Sequence, residues 1–338
     1  MRSTLIDIAK EAGVSSATVD RVLNNRPGVR ARTREMVLET AQRLGYIAET
    51  TAQPQRHGSS LSFDFVLPAG TNSFMDELRQ HLQRQGNGHA GTVGTVHSIE
   101  GFNPLTLAAK LKELEGRSDG VGVVGLDHPA VREAIRSLTR SGVPVITLLS
   151  DIHHVPRAGY VGIDNRSAGR LAGYLMGRLL GPGKHKVALF AGSLSYRGHE
   201  EREMGFRHIL LEEFPNLEVV DLTEVRDDNE RAYRAARTHF EEHPEIGAIY
   251  NIGAGNRGIE RALEEMGLAR SVIFVGHELT PYTKRMLLNG TMDVAIDQNA
   301  RVEAREALAQ LTRIARGESW SMHPLRIAVL FKENIPEE

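Results

Sequence analysis

The sequence predicts a small all-α head followed by an α/β body, in which two lobes each contain a doubly wound parallel sheet. The chain has 338 residues, which is enough for about two domains at ~150 residues each. Residues 4–46 show a helical pattern that is broken by short turns. After Leu61, short β-branched runs alternate with amphipathic helices. Such alternation is typical of parallel sheets that are covered by helices on both faces.

Three short helices are predicted for the head. Thr4 and Asp7 form a capping box at the start of the first helix. The second helix is predicted over residues 16–23 and the third over about residues 31–44. Two short helices joined by a tight glycine turn, with a third helix closing the core, predict a helix-turn-helix domain over residues 1–47.

The rest of the chain divides into a linker and a body. Residues 48–60 are polar, with little to bury, and are predicted to be a linker. The body, residues 61–335, has about nine predicted strands, which divide more readily into two lobes than into one sheet. We assign residues 61–162 with 298–318 to one lobe and residues 165–293 with 325–335 to the other, with crossovers near 160–165, 292–298 and 318–325. The predicted strands are residues 61–67, 120–125, 143–149, 186–191, 218–222, 248–252, 272–275, 294–296 and 327–331.

The composition excludes several classes of protein. The chain has no cysteine, which removes disulfides, thiolate nucleophiles and cysteine-ligated zinc. No apolar run approaches the ~18 residues of a membrane span. Residues 1–30 lack the continuous apolar stretch of a signal peptide. We therefore expect a cytoplasmic protein that does not contact a membrane.

The net charge of −2 conceals an asymmetry between the head and the body. Residues 1–60 carry nine Lys and Arg against six Asp and Glu, whereas the remaining residues carry 32 against 37. The head with its linker is therefore basic and the body acidic. This distribution is a reason to examine the head separately for a nucleic-acid partner.

Residues 4–46 are similar to the DNA-binding headpiece of the lactose-repressor/galactose-repressor (LacI/GalR) family of bacterial transcription factors. The spacing is kept from Thr4 through Thr33 to Tyr46. The resemblance implies that the second helix enters the major groove of operator DNA. It assigns base reading to Ser16, Ala17 and Arg21, and phosphate contacts to Thr4, Ser15, Asn24, Asn25 and Thr33. Helix capping alone is the alternative role for Thr4 and Ser15.

Two features of the head depart from the family pattern. Asp20 stands where the family usually has serine, and its carboxylate either accepts from a cytosine amino group or pairs with an arginine. In the linker, where the family forms a hinge helix with a leucine wedge, this chain has Pro54 and Gln55. Pro54 disfavours a helix and Gln55 cannot act as an apolar wedge. We therefore expect weaker operator kinking, which circular-permutation gel shifts would measure.

The body resembles the periplasmic-binding-protein-like (type I) sensor domain of the same family, and in particular ribose-type sugar binders. The matching segments are residues 71–75, 162–165, 201–206, 276–278 and 295–298. The resemblance implies a sugar or polyol effector between the lobes and a homodimer or larger homo-oligomer on a palindromic operator. It implies a repressor rather than an enzyme, without metal or cofactor.

The resemblance also implies a set of ligand-binding residues. Phe74 is expected to stack on the sugar, and Arg202, Glu278 and Gln298 to hold hydroxyl groups. Asn72, Asp164 and Asn256 complete the predicted ligand site. Loop capping or turn formation is the alternative for these last three residues, and Asn251 is a rival to Asn256. A surface salt bridge to Glu200 or Glu203 is the alternative for Arg202. Glu278 replaces the aspartate usual in these binders.

A dinucleotide-binding enzyme is the second hypothesis. Residues 253–258 spell G-x-G-x-x-G after a predicted strand, and Glu278 lies 20 residues beyond the third glycine. This is the form of a Rossmann fingerprint for an NAD-dependent oxidoreductase. Its position counts against it, because such a fingerprint normally opens the first unit of its domain, whereas at least two strand–helix units precede this one in its lobe.

Overall fold

The computed structural model describes residues 4–23, 29, 31–44, 60–88, 91–100, 102–319 and 323–337. By the density of its internal contacts the chain divides into two units, residues 1–57 and 58–338. The predicted linker over residues 48–60, including Pro54 and Gln55, lies outside the described residues apart from residue 60. Among the described residues, none of the helices has the length and apolar character that crossing a membrane requires.

The head is a three-helix domain, as the sequence predicts. Its helices are α1 (Leu5–Glu11), α2 (Ser16–Leu23) and α3 (Ala31–Arg43). The capping box is formed, because the Thr4 amide donates to Asp7 Oδ2 at 2.8 Å and Thr4 Oγ1 accepts from the Asp7 amide. Ile8, Val19 and Val37 are fully buried between the helices. One apolar side chain from each helix therefore closes the small core.

The first lobe contains a five-stranded parallel sheet in the order β2-β1-β3-β4-β5. Its strands are β1 (Leu61–Ala69), β2 (Thr92–Glu100), β3 (Gly120–Val123), β4 (Val145–Leu148) and β5 (Gly159–Val161). Its helices are α4 (Ser73–Gly88), α5 (Pro104–Glu113), α6 (Pro129–Arg140) and α12 (Ala300–Ala315). Phe63, Phe65 and Leu111 are fully buried in one core with Leu311 of α12. Although α12 follows all the helices of the second lobe in the sequence, it packs in the first lobe.

The second lobe contains a six-stranded sheet in the order β11-β10-β9-β8-β6-β7. Its strands are β6 (His185–Ala191), β7 (Leu217–Glu224), β8 (Ile246–Asn251), β9 (Ile273–His277), β10 (Val294–Asp297) and β11 (Ala328–Leu330). Its helices are α7 (Asn165–Leu180), α8 (Arg197–Glu213), α9 (Asn229–Glu242), α10 (Asn256–Glu265) and α11 (Pro281–Asn289). Only β11 is antiparallel to its neighbour among these strands. The doubly wound parallel fold is confirmed for both lobes.

Three elements differ from the sequence prediction. β2 was not predicted, because it lies at the edge of its sheet and its polar residues are partly exposed. β5 was not predicted either, since it has only 3 residues. β10 matches the strand predicted over residues 294–296, but it pairs with β9 in the second sheet, whereas the sequence prediction ended that lobe at residue 293 and placed a crossover over residues 292–298. The crossing to the first lobe therefore begins later, at Gln298.

Candidate ligand-binding site between the lobes

A cavity lies where the two lobes meet, beyond the carboxyl ends of their strands. Its walls come from the segments that follow β1 and β3 to β10. The cavity volume that water can occupy is about 80 Å³, several times the ~10–15 Å³ that one water molecule needs. The predicted residues Asn72, Phe74, Arg202, Asn256, Glu278 and Gln298 all line this cavity.

Arg202 is held rigidly at the cavity wall. Its Nε donates to Asn165 Oδ1 at 2.7 Å, and its Nη1 donates to the carbonyl of Ile252 at 2.9 Å. Its Nη2 lies 3.8 Å from Glu278 Oε1. The residue is 5% exposed, and Glu203 pairs with Arg207 instead. The surface salt bridge considered from the sequence is therefore absent, and one edge of the guanidinium is left to face the cavity.

Glu278 and Gln298 form a buried polar pair. Gln298 Nε2 donates to Glu278 Oε1 at 2.6 Å. Glu278 Oε2 and Gln298 Oε1 are buried without a hydrogen-bond partner. Burial raises the pKa of the Glu278 carboxyl to about 8, and Asp297 adds to the shift while Arg202 opposes it. Because buried polar atoms are almost always satisfied, these two atoms are available to hydrogen-bond a ligand or a water in the cavity.

The Glu278 backbone holds the carboxyl in place. This residue follows β9 and has φ of 69°, a left-handed conformation that is uncommon for a residue other than glycine. Its amide donates to the carbonyl of Ile296 at 3.0 Å, and its carbonyl accepts from Thr283 Oγ1 at 2.6 Å. Strain of this kind persists where surrounding contacts fix it, often at functional sites.

Aromatic rings supply apolar surface to the cavity. Phe74 lies in the first turn of α4 and is 4% exposed. Tyr196 and Tyr282 from the second lobe also line the cavity. Tyr196 contacts Phe102 edge to face, with ring centroids 5.5 Å apart. The site thus combines ring surfaces with hydrogen-bonding groups, the combination that polyhydroxy ligands need.

Asn72 connects the two lobes. Its Oδ1 accepts from the amides of Phe74 and Met75 and so caps α4, while its Nδ2 donates to Asp227 Oδ2 at 3.1 Å. Thr71 Oγ1 donates to the Asp227 carbonyl at 2.6 Å. Asp227 has φ of 54°. The Asn72 amide is therefore engaged within the protein, and it joins the first lobe to a left-handed turn of the second.

Asn256 and its rival Asn251 lie at different depths from the cavity. Asn256 lines the cavity, whereas Asn251 is fully buried behind it and its Nδ2 donates to Asn256 Oδ1 at 2.6 Å. Asp164 is exposed, does not line the cavity, and caps α7 by accepting from the Ser167 amide at 2.9 Å. Asp164 was predicted as a ligand residue, but it lies outside the cavity, because its carboxylate caps its own helix.

Sequence reasoning did not assign Asn165, His199 or Asp227, which also line the cavity. Burial lowers the pKa of His199 to about 4, with Asp227 opposing the shift, so this imidazole is neutral at pH 7. The rule that ligands bind beyond strand ends could have found His199 and Asp227, because both lie a few residues after β6 and β7. Asn165 directly follows the predicted Asp164.

The three glycines of the G-x-G-x-x-G segment are pressed against protein atoms. A Cβ added to Gly253 would lie 2.7 Å from the Gly192 amide nitrogen, and one added to Gly258 would lie 1.9 Å from the Asn229 carbonyl oxygen. Gly255 has φ of 102°, and its Cβ would lie 2.9 Å from Ala232 Cβ. These glycines serve close packing and a tight turn. The geometry gives no support to a dinucleotide site.

The head presents one exposed face of α2. Ser16, Ala17 and Arg21 are exposed, whereas Val19 and Val22 are buried. Asp20 and Thr33 are half-buried. Ser15 caps α2 by accepting from the Thr18 amide at 3.2 Å. Asn24 and Asn25 lie outside the described residues. The predicted base-reading side chains are thus available on a single helical face.

Comparison with known families accounts for both parts of the chain. A family model described as bacterial regulatory proteins of the lacI family matches residues 4–49. A second, described as a periplasmic binding protein domain, matches residues 63–319. The two matches correspond to the three-helix head and to most of the two-lobed body.

Curated relatives are transcriptional regulators. The chain is 27% identical over 218 residues to catabolite control protein A of Priestia megaterium, covering 63% of this chain and 62% of the relative. It is 31% identical over 210 residues to an uncharacterised helix-turn-helix regulator of Streptomyces limosus, covering 62% and 58%. It is 27% identical over 252 residues to the ribose operon repressor of Halalkalibacterium halodurans, covering 73% and 71%. The chain thus spans about three fifths of the first two relatives.

Solved structures share the fold of the body. A glucose-galactose binding protein of Geobacillus stearothermophilus has a TM-score of 0.76 at 22% identity, covering 82% of this chain and 100% of that chain. A solute-binding protein of Burkholderia graminis in complex with D-arabinose has a TM-score of 0.76 at 21% identity, covering 82% and 96%. These similarities establish the two-lobed fold.

Proposed function

The chain belongs to the LacI family of bacterial regulatory proteins, with the family's DNA-binding head and a periplasmic binding protein domain, and on that premise we propose that it is a transcriptional repressor whose operator binding responds to a sugar or related polyol. The cavity between the lobes is the effector site. Arg202, Glu278 and Gln298 hold the hydroxyl groups of the effector, and Phe74 stacks on its C–H face.

One observation carries the choice of effector class. Glu278 Oε2 and Gln298 Oε1 are buried without partners beside Arg202 Nη2, which lies 3.8 Å from Glu278 Oε1. Because the raised pKa keeps the Glu278 carboxyl protonated at pH 7, this set offers Glu278 Oε2–H and Arg202 Nη2 as donors and Gln298 Oε1 as an acceptor within one small cavity. A hydroxyl group both donates and accepts, so neighbouring hydroxyls on one ligand satisfy such a set. Relatives named for ribose and structures named for glucose, galactose and arabinose support the same class.

The head reads DNA with the exposed face of α2. Arg21 grips a guanine by two hydrogen bonds, and Ser16 and Ala17 contact neighbouring base edges. A helix of 8 residues reads only a half-site, so the repressor binds a palindromic operator as a dimer or larger homo-oligomer. Its DNA partner places the protein in the cytoplasm. It needs no metal or cofactor and catalyses no reaction.

A thermal-shift panel tests the effector class. The full chain is heated with D-ribose, D-xylose, D-arabinose, D-glucose, D-galactose, D-allose, myo-inositol, D-mannitol, adenosine or NADH. A bound compound raises stability by RT ln(1 + [L]/Kd), about 2.7 kcal/mol at 100 times Kd. We expect a sugar or polyol to give the largest shift. A shift with adenosine or NADH alone would overturn the assignment.

Selection of bound duplexes from a random DNA pool tests the reader. We expect a palindromic consensus whose half-sites contain a guanine read by Arg21. Arg21→Ala is expected to relax the preference at that position by about 1–3 kcal/mol, whereas Lys10→Ala, which removes the same charge from α1, should lower affinity evenly across sequences. Unchanged sequence preference in Arg21→Ala would contradict the assignment of Arg21.

A further inference from the structure

Asn165 lies between the two lobes and contacts both. It is the first residue of α7 and is 3% exposed. Its Oδ1 accepts from Arg202 Nε at 2.7 Å in the second lobe. Its Nδ2 donates to the Leu149 carbonyl at 2.9 Å and to Tyr160 Oη at 3.2 Å, both in the first lobe. The two ends of one amide therefore connect the effector-holding arginine to the opposite wall of the cavity.

The group that Asn165 contacts in the first lobe is itself firmly fixed. Leu149 lines the cavity and has φ of 60°. Its amide donates to Val161 O at 2.9 Å and to Glu303 Oε1 at 3.2 Å. Its carbonyl also accepts from Tyr160 Oη at 3.1 Å. A hydrogen bond from Asn165 therefore acts on a rigid point of the first lobe, connected to β5 and α12.

The helices that carry Asn165 and Arg202 are packed too closely to move independently. A Cβ added to Gly169 of α7 would lie 1.9 Å from the Arg202 carbonyl oxygen, and one added to Gly205 of α8 would lie 2.1 Å from the Arg166 carbonyl oxygen. Glycines thus let the two backbones touch. Arg202 and Asn165 form one rigid body, and a displacement of either is transmitted to the other.

We propose that Asn165 is a positioning residue, which orients Arg202 toward the effector and at the same time couples the occupied site to closure of the first lobe. The proposal rests on the proposed function of the cavity. The Asn165 carboxamide is suited to both tasks, because it has an acceptor for the guanidinium and a donor for the Leu149 carbonyl. A bound effector that fixes Arg202 thereby strengthens the contact between the lobes, and closure in turn favours the effector.

Two substitutions separate the tasks. Asn165→Asp keeps an acceptor for Arg202 Nε but loses the donor, so that a carboxylate oxygen opposes the Leu149 carbonyl. Asn165→Ala loses all three bonds, those with Arg202, Leu149 and Tyr160. Asn103→Asp is the matched control, because Asn103 caps α5 with Oδ1, which accepts from the amides of Leu105 and Thr106. Aspartate caps a helix as well as asparagine does.

Amide hydrogen exchange of the full chain without ligand measures closure directly. Two reporter amides cross between lobes: Gly198 N donates to Ser150 Oγ at 3.1 Å, and Asp127 N donates to Ser195 O at 3.0 Å. Two reference amides lie within single lobes, at Val124 and Ile252. We expect Asn165→Asp to speed exchange of the crossing amides about 3- to 10-fold, the effect of one hydrogen bond, with the reference amides unchanged.

Effector binding separates the positioning role from the coupling role. With the panel compound that binds the wild type best, Asn165→Asp should weaken affinity about 3- to 10-fold, and Asn165→Ala by a further 10-fold because Arg202 also loses its guide. Asn103→Asp should leave both measurements unchanged.

The possible outcomes distinguish the two proposals. Unchanged exchange at the crossing amides in Asn165→Asp, or equal acceleration at crossing and reference amides, would overturn the positioning role, since the second result marks a purely structural residue. If no sugar or polyol stabilises the wild type, the effector class is wrong, but the ligand-free exchange comparison still decides the role of Asn165.

Discussion

The two walls of the cavity differ in chemistry. The first lobe contributes neutral residues, including Thr71, Phe74 and Leu149, and no charged side chain among its described lining residues. The second lobe contributes the ionisable side chains of Arg202, Asp227, Arg257 and Glu278, together with the buried His277 and the half-buried His199. The second lobe therefore supplies the ionisable hydrogen-bonding groups, and the first lobe closes over the ligand with apolar surface and short polar contacts. Substitutions in the second lobe should therefore lower effector affinity more than substitutions in the first lobe.

Arg202→Ala is expected to have the largest effect on effector binding. The charged Arg202 guanidinium donates to the hydroxyl groups of the effector, and losing a hydrogen bond from a charged group costs about 1.5–3 kcal/mol, so affinity should fall about 10- to 150-fold. Isothermal titration calorimetry with the best panel compound measures the loss. Arg207→Ala is the control, because Arg207 lies on the same helix, is 41% exposed and pairs with Glu203. If Arg202→Ala binds the effector as tightly as wild type, Arg202 does not hold the effector.

Glu278→Gln should change how stability depends on pH. In the folded protein burial raises the Glu278 pKa to about 8, from an ordinary value of 4.5. The folded state therefore retains a proton that the unfolded state has released, and stability falls as pH rises toward 8. Between pH 6.5 and 8, wild type should lose about 1–2 kcal/mol more than the variant.

The histidines do not affect this comparison. Burial lowers the pKa values of His199 and His277 from 6.5, so both are neutral in the folded protein in this window, and their titration in the unfolded state is common to wild type and variant and cancels in the difference. Asp297 and Glu303 also have raised pKa values and remain in the variant. Urea unfolding at each pH gives the difference. Parallel stability curves for wild type and Glu278→Gln would contradict a buried, proton-retaining carboxyl in the second wall.

The main polar residues of the cavity could be predicted from the sequence, whereas the contacts between the lobes could not. Arg202, Glu278 and Gln298 stand in short segments with family-like spacing, and the structure brings them to one cavity. Asp164 and Asn165 are adjacent, but the first caps α7 and the second faces the cavity. Which of two neighbours points inward depends on where the helix begins, a boundary that sequence patterns fix poorly.

Asp227 shows a second kind of limit. Arg226 and Asp227 both adopt left-handed conformations, with φ of 52° and 54°. Without a glycine at either position, the sequence contains no local indication of this turn. The turn is fixed by bonds from Thr71 and Asn72 in the other lobe, more than 150 residues away along the chain. Only the assembled fold places the carboxylate in the wall.

Phe74→Leu tests the apolar wall and should have an intermediate effect. Leucine keeps most of the buried volume but loses ring stacking, which contributes about 0.5–1.5 kcal/mol, so effector affinity should fall about 3- to 10-fold. Phe65→Leu is the matched control, because Phe65 is fully buried in the same lobe and does not line the cavity. It should lower stability without weakening effector binding. Equal affinity losses in both variants would mean that Phe74 acts only through the core.

Thr71→Val should have the smallest effect, and it tests whether the short polar contacts of the first wall hold the cavity closed. Valine keeps the shape of the side chain but removes the bond from Thr71 Oγ1 to the Asp227 carbonyl. One such bond contributes about 0.5–1.5 kcal/mol, so the affinity for the best panel compound should fall about 2- to 10-fold. Thr92→Val removes a similar bond, to the Gly86 carbonyl, within the first lobe. Calorimetry should therefore show weaker binding for Thr71→Val and unchanged binding for Thr92→Val. If both variants bind like wild type, the contact between the walls contributes nothing to effector affinity, and the second lobe alone sets it.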